Sequence, residues 1–294
     1  MRGRVLEVLA DVARVVDGEG QVHLCQFRGR LRRDVDQVLA GDWVDVALSR
    51  PAAMVERVLP RQNRLVRPPL ANAEGLLAVF SPVQPAGSLA LLDRRLVMAE
   101  LMGLSAAIVV TKADLWADDP AVWQRLAPWR AIYPTVAVST AEDGGWERIH
   151  AILGKAVWVM AGESGVGKTS LMRRLLPGWA EPGAVGALSA RTGRGRHTTR
   201  TIALVPVGEA WLADTPGFTH LELPPHDAGS LRDAFPEWRG ARCRYGDCRH
   251  LGEPGCVVPQ WLAAGQVSPE RYQHYRLLQA DPAPSRHRPR GVRP

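Results

Sequence analysis

A glycine-rich segment in the middle of the chain has the residue types that bind phosphate. Residues 162–169 read GESGVGKT, which fits the GxxxxGK[ST] pattern. In such a loop backbone N–H groups face the phosphates, Lys168 neutralises the β- and γ-phosphates, and Thr169 ligates Mg²⁺. An apolar run predicts a strand before the loop at 157–161, and residues 170–176 suit a helix after it. The expected nucleotide contacts are Gly162, Glu163, Ser164, Gly165, Val166, Gly167, Lys168, Thr169 and Ser170.

A second motif predicts that the bound base is guanine. Residues 111–114 read TKAD, a variant of the NKxD box. The Asp114 carboxylate can accept from guanine N1–H and the 2-amino group together, a pattern that adenine lacks. The Lys112 stem can cover the base, whereas Thr111 replaces the commoner Asn and provides fewer hydrogen bonds. Ser139 begins a segment that resembles the second guanine-contacting loop; the alternative is an ordinary turn after a strand.

A third motif, DTPG at residues 214–217, fits DxxG. Asp214 would hold Mg²⁺ through water, and the Gly217 N–H would sense the γ-phosphate. In an ordinary small GTPase the guanine box follows both other motifs, whereas here it precedes them. The order predicts a circularly permuted α/β P-loop GTPase, with its switch elements at the C-terminal end of the nucleotide domain.

The loop at 193–199 lies where switch I of such a protein belongs. Thr198, or the neighbouring Thr199, would complete the Mg²⁺ shell when GTP is bound. Many GTPases place a water-orienting Gln where this chain has Phe218. His197 is the candidate for that task; the alternative is an exposed or RNA-contacting side chain. Unassisted turnover should therefore be slow, on the order of 10⁻⁴ to 10⁻³ s⁻¹.

A cysteine cluster near the C-terminus predicts a structural metal. Cys243, Cys248, His250 and Cys256 follow the pattern C-x₄-C-x-H-x₅-C. Three thiolates and one imidazole suit tetrahedral Zn²⁺, and four protein ligands leave no open position for catalysis. Cys25 is expected to be a small core residue. The interleaved Arg242, Arg244 and Arg249 either contact phosphates or are simply solvated.

Composition limits the class of protein. The chain has 294 residues and a net charge of +7, and its basic excess lies on either side of the balanced segment 68–225. This distribution fits a polyanion such as RNA, or a solvated basic surface. The chain has no apolar run of about 18 residues, and its first residues, which have no apolar stretch, argue against a signal peptide. We expect a cytoplasmic monomer with no membrane span.

Hydrophobic patterning divides the chain into four parts. Residues 1–66 contain five short apolar stretches separated by turn signals, which predicts an all-β barrel. The OB-fold is the expected kind, and another small structural barrel is the alternative. Residues 67–225 read as the GTPase domain, with a helix capped by Ser88 and strands that lead into both nucleotide motifs. Residues 226–280 read as a mainly helical zinc-binding domain, and 281–294 as a disordered Pro/Arg-rich tail.

The motif order, the GRHTT loop, DTPGF and the cysteine pattern together resemble one family across nearly the whole chain. It is the bacterial ribosome small-subunit-dependent GTPase A, a circularly permuted GTPase with an OB-fold and a zinc domain. Further matching segments are GDWV at 41–44, RQNRLVRP at 61–68 and LDRRL at 92–96. The departures are Thr111 in place of Asn, Glu163 where Pro is frequent, and Arg200 in place of a third Thr.

The resemblance implies a GTP hydrolase that binds the small ribosomal subunit and its rRNA, acts late in its maturation, and turns over faster when bound. Three alternatives remain at the level of sequence. One is a permuted GTPase that serves the large subunit, and another is a nucleotide-gated RNA-binding protein in which hydrolysis is incidental. The third, an ATP-using P-loop enzyme, is disfavoured by the TKAD motif.

Overall fold

The computed structural model describes residues 1–29, 31, 38–49, 52–66, 68–142, 144–176, 202–214 and 223–281. In these segments no helix is long and apolar enough to cross a membrane. Most described strands join into one extended sheet that runs through an N-terminal barrel and a central α/β layer. A helical unit follows the α/β layer at the C-terminal end.

The N-terminal strands close into an OB-like barrel, as predicted. They pair in the order β1-β2-β3-β5-β4, and β4 pairs back with β1. β3 and β5 are parallel, and the other barrel pairs are antiparallel. Alternating apolar residues fill the interior, among them Cys25, which is fully buried as expected. The strands are β1 Arg2–Leu9, β2 Val12–Asp17, β3 Val22–Phe27, β4 Trp43–Ala47 and β5 Ala53–Val58.

A short segment after the barrel joins it to the α/β layer. Two small strands, β6 Arg64–Leu65 and β7 Leu70–Ala71, pair with each other, and β7 bridges to Ala40 beside the barrel. β1 continues into the central sheet through the pair Glu7 and Ala203. The barrel is therefore attached both through β1 and through this segment, and its hydrophobic pattern indicates neither contact.

The central sheet is almost entirely parallel. Its order is β10-β9-β8-β11-β13-β12, parallel except for the edge strand β12. β8 and β11 are buried along their whole length because they lie in the middle of a sheet covered on both faces. The strands are β8 Gly75–Phe80, β9 Ser105–Val110, β10 Thr135–Ala137, β11 Val157–Ala161, β12 Ala203–Val207 and β13 Ala210–Asp214.

Four helices cover this sheet: α1 Leu89–Leu101, α2 Pro120–Arg130, α3 Trp146–Leu153 and α4 Lys168–Leu175. The predicted cap of α1 is confirmed, since the Ser88 hydroxyl accepts from the Leu91 N–H at 3.3 Å. Sequence reasoning missed α2. Its start carried a signal, because Asp119 accepts from the Ala121 N–H and Pro120 occupies the first helical position.

The C-terminal unit is mainly helical, as predicted. It contains α5 Ala228–Asp233, a 3₁₀ turn at Pro236–Trp238, α6 Val258–Ala263 and α7 Pro269–Ala280. Phe235 stacks on Trp238 with ring centroids 5.0 Å apart, and Tyr275 packs edge-on against Trp238 at 4.7 Å. These rings belong to the same apolar cluster as Leu92 of α1, so the C-terminal unit and the α/β layer share one core. The predicted disordered tail lies outside the described residues from 282 onward; Asp281 pairs with Arg94 at 2.8 Å.

Candidate functional site

The phosphate-binding loop lies between β11 and α4, which is the strand–loop–helix context predicted from the sequence. Gly165 and Gly167 have φ values of +78° and +96°, which side chains rarely adopt. A Cβ on Gly162 would approach the Val79 carbonyl oxygen to 2.6 Å. The loop thus needs glycine at these positions, and its backbone lies at the N-terminal end of α4, where anions are favoured.

Lys168 turns back over the loop. Its ammonium donates to the carbonyl oxygens of Gly162 at 2.7 Å and Glu163 at 2.6 Å. Burial lowers the pKa of Lys168, the nearby charge of Arg95 lowers it further, and Glu163 opposes both. A phosphate in the loop would offer the ammonium a charged partner in place of two carbonyls.

Thr111 connects the guanine motif directly to the phosphate-binding loop. It follows β9, is buried, and donates from its hydroxyl to the Val166 carbonyl oxygen at 2.6 Å. The same hydroxyl lies 3.2 Å from the Phe80 carbonyl oxygen. Sequence reasoning expected Thr111 to make few hydrogen bonds near the base; its hydroxyl instead joins two loops that are 55 residues apart.

The guanine motif is also joined to the segment predicted as the second base loop. The Ser139 hydroxyl donates to Oδ1 of Asp114, and it accepts from the Ala141 N–H at 3.0 Å. Asp114 is exposed, so its carboxylate can be reached from solvent while Oδ1 accepts from Ser139. A cavity beside these residues is lined by Thr111, Lys112, Val138, Thr140, Gly167, Ser170 and Leu171. The cavity therefore combines the guanine motif with the start of the helix that follows the phosphate-binding loop.

The connection between β8 and α1, residues 81–88, was not identified as part of the site by sequence reasoning. The Lys112 ammonium donates to the carbonyl oxygens of Val83 and Gln84. On the other side, the Glu163 carboxylate accepts from the Ser88 N–H at 2.7 Å. In the sequence Glu163 differs from the Pro that is frequent there, and that difference does not indicate this contact. Its carboxylate ties the phosphate-binding loop to the N-terminus of α1, where a negative charge is favourable.

The γ-phosphate side of the site is described only in part. Asp214 is the last residue of β13, which runs parallel to β11, so its backbone lies at the sheet edge that carries the phosphate-binding loop. Thr169 is exposed at the start of α4. His197, Thr198 and Gly217 lie outside the described residues. The roles of all these residues stay predictions.

The structure brings the four predicted metal ligands together. The sulfurs of Cys243, Cys248 and Cys256 lie 3.5, 3.5 and 3.6 Å from Nδ1 of His250. All four ligand atoms lie within 4.8 Å of one another. A tetrahedral zinc ion with Zn–S of about 2.3 Å and Zn–N of about 2.0 Å would separate sulfur from nitrogen by about 3.5 Å. The cluster can therefore hold a metal ion of this size.

The thiols of the cluster are free, and they are not paired in disulfides. Burial raises the pKa of the Cys248 thiol to about 12 and also raises that of Cys256, while burial lowers the pKa of His250. Buried thiols of this kind keep their protons at neutral pH unless a cation replaces them. Metal binding at this cluster should therefore release protons.

Comparison with known proteins decides the family. The profile described as "RsgA GTPase" matches residues 58–224. The chain belongs to the RsgA GTPase family. As a member of a GTPase family it is a hydrolase that acts on GTP. The family membership predicted from the motifs is thus confirmed, and an ATP-using enzyme is no longer an alternative.

Relatives match the chain over nearly its full length. The Small ribosomal subunit biogenesis GTPase RsgA of Carboxydothermus hydrogenoformans is 38% identical over 282 residues, which are 94% of this chain and 95% of that protein. The protein of the same name from Geobacillus thermodenitrificans is 37% identical over 95% of this chain and 96% of its own. The match of this RsgA-family chain to its relatives therefore spans the barrel and the segment that carries the cysteine cluster.

Two solved structures share the whole architecture. YjeQ from Thermotoga maritima superposes with a TM-score of 0.82 at 29% identity, over 95% of this chain and 97% of its own. YloQ, described as a circularly permuted GTPase, superposes with a TM-score of 0.80 at 29% identity, over 95% and 94%. The permuted fold that we predicted from motif order in this RsgA-family chain is confirmed.

Proposed function

We propose that this GTPase acts in late maturation of the small ribosomal subunit, hydrolysing GTP faster when bound to the subunit and leaving it in a nucleotide-dependent way. The observation that carries the GTP site is the bond from Thr111 to Val166, which joins the guanine motif and the phosphate-binding loop at one cavity. The partner is supported by the names of the relatives, which are small-subunit biogenesis GTPases.

In the proposed site each residue has one task. Asp114 accepts from the guanine edge, and the loop N–H groups with Lys168 hold the β- and γ-phosphates. Thr169, Thr198 and Asp214 would hold Mg²⁺, which supplies charge neutralisation at the phosphates. The Gly217 N–H senses the γ-phosphate.

His197 is proposed to orient the attacking water, because Phe218 replaces the usual Gln. A phenyl ring cannot accept the water proton or fix the lone pairs of the water, whereas an imidazole can. If docking on the subunit places His197 against the γ-phosphate, the isolated protein should hydrolyse GTP slowly and the subunit-bound protein should hydrolyse it faster.

The flanking parts are proposed to bind rRNA. Residues 1–66, 67–225 and 226–280 would form the barrel, GTPase and zinc domains, and the metal at the cysteine cluster would be structural Zn²⁺. The thiolate-rich donor set and the 3.5–3.6 Å spacings support that ion. The protein is proposed to act as a cytoplasmic monomer. Nucleotide control requires that the GTP and GDP forms differ in subunit affinity.

Turnover measurements test the proposal. GTP hydrolysis is followed with the protein alone, with purified small subunits and with large subunits. Strong stimulation by small subunits alone is the expected result, and His197→Ala should then abolish the stimulation while GTP affinity persists. Stimulation by large subunits would favour the large-subunit alternative. Tight GTP binding without stimulation by either would favour a nucleotide-gated RNA-binding protein and overturn the catalytic roles.

A further inference from the structure

His250 has a backbone conformation that needs an explanation. Its φ is +59°, in the left-handed region that residues other than glycine rarely adopt. In this conformation its Nδ1 lies 3.5–3.6 Å from three cysteine sulfurs. A strained backbone of this kind persists only when the surroundings hold it. Some contact must therefore hold the His250 turn.

The Tyr272 hydroxyl donates to the His250 carbonyl oxygen at 2.7 Å, and the side chain of Glu253 holds the backbone on either side of it. The Glu253 Oε1 accepts from the Arg249 N–H at 3.1 Å, and its Oε2 accepts from the Leu251 N–H at 2.8 Å. One carboxylate thus binds the residues directly before and directly after His250. Oε2 also lies 3.5 Å from the Cys248 sulfur. The Glu253 carbonyl oxygen accepts from the N–H of Cys256, a third ligand, at 3.0 Å.

We propose that Glu253 is a positioning residue of the metal centre, which holds His250 in its left-handed turn so that the ligands are arranged before the metal arrives. This inference rests on the zinc site proposed above. Carboxylates that support metal ligands through hydrogen bonds typically contribute about 10- to 100-fold in metal affinity. Here the support acts through the backbone on either side of the ligand.

The contact between Glu253 and the Cys248 sulfur does not explain how Glu253 would position His250. A carboxylate accepts from a thiol but repels a thiolate, and metal binding converts Cys248 to its thiolate. In the loaded site the favourable contacts of Glu253 with this turn are therefore the two backbone N–H groups and the partly exposed ion pair with Arg249 at 3.9 Å. A Gln at position 253 would keep one acceptor oxygen and lose the charge, whereas an Ala would lose both acceptors. Zinc affinity should therefore be highest with Glu, intermediate with Gln and lowest with Ala.

Competition between the full-length protein and a chromophoric chelator for Zn²⁺ tests the proposal. Glu253→Ala should lower zinc affinity by about 10- to 100-fold, and Glu253→Gln should lie between Ala and the unmodified protein. Asp247→Ala is the matched control, since Asp247 is an exposed acid next to Cys248 with no described hydrogen bond to this turn. It removes the same charge and should leave zinc affinity within about twofold, below the loss expected for a supporting carboxylate.

Two further readouts separate the possible failures. Co²⁺ spectra should keep thiolate charge-transfer bands in Glu253→Gln, and unchanged binding of a fluorescent GTP analogue shows that each variant is folded. If the unmodified protein binds no zinc, the zinc assignment fails and this inference with it. If zinc binds equally to the unmodified protein and to Glu253→Ala, or if Asp247→Ala weakens zinc as much, the Glu253 role is overturned and the zinc assignment stands.

Discussion

Arg271 of α7 donates to the carboxylate of Asp93 in α1, although 178 residues separate them and their side chains are 1% and 0% exposed. Asp93 also accepts from the Trp129 indole N–H at 2.7 Å and lies 2.6 Å from Nδ1 of His274. The Arg271 guanidinium binds Glu237 at 2.6 and 3.0 Å. This buried network joins the C-terminal unit to the helix whose N-terminus meets the phosphate-binding loop.

Removing Arg271 should be strongly destabilising. Burial disfavours its charged form, but the carboxylates of Asp93 and Glu237 outweigh burial and raise its pKa. Arg271→Met keeps the apolar volume and leaves two carboxylates without their cation, at a cost of about 3–5 kcal/mol. Urea unfolding measures this loss. Arg125→Met, which breaks the exposed pair with Glu270, should cost about 0–1 kcal/mol. Similar midpoint shifts in the two variants would contradict a structural role for the network.

Gly41 should tolerate no side chain. Its φ is +87°, and a Cβ there would approach the Ala71 carbonyl oxygen to 1.9 Å, where the barrel meets the segment that follows it. Gly41→Ala should therefore cost at least about 2 kcal/mol in the free energy of unfolding. Gly18→Ala serves as the control, because a Cβ at Gly18 meets nothing within 4 Å. A Gly41→Ala protein that unfolds at the same urea concentration as Gly18→Ala would refute this account of the junction.

The Thr111 hydroxyl should contribute to nucleotide affinity without contacting the nucleotide. Thr111→Val keeps the shape of the side chain but leaves the buried Val166 carbonyl oxygen without this donor. The expected loss is about 1 kcal/mol, or about fivefold, and should be equal for GTP and GDP. Fluorescent-nucleotide titration checks it. The matched control is Thr135→Val, whose hydroxyl bonds to the Tyr133 carbonyl oxygen at the far end of β10. A loss confined to GTP would argue against a loop-positioning role.

Base specificity should depend on Asp114. Asp114→Asn replaces an acceptor by a donor toward the guanine amino group, so preference should shift from GTP to xanthosine triphosphate by about tenfold or more. Competition binding with the two nucleotides measures the shift. Asp119→Asn is the control, since that carboxylate caps α2. An unchanged GTP preference in Asp114→Asn would mean that another group recognises the base.

Local patterns were sufficient to predict a GTP site and most of the secondary structure. The phosphate-binding loop needs glycines, a lysine and a preceding strand, all within about a dozen residues. Each of these requirements can be recognised from the residue types in that segment. Motif order alone predicted the permuted fold. The guanine box, the phosphate-binding loop and the DxxG motif must meet at one GTP site, so a changed order along the chain implies that the termini have moved. Cys243, Cys248, His250 and Cys256 likewise carry the spacing of a metal centre.

Contacts between distant segments came only from the tertiary structure. In the sequence Thr111 is a weak substitute for Asn, Glu163 is a departure from the usual Pro, and Asp93 is one residue of the LDRRL segment. In the structure each of them forms a hydrogen bond with a residue far away along the chain. Such pairings depend on how the sheet, barrel and C-terminal helices pack. Hydrophobic periodicity predicts which face of a helix or strand is buried. It does not predict which polar group of a distant segment will contact a polar side chain on that face.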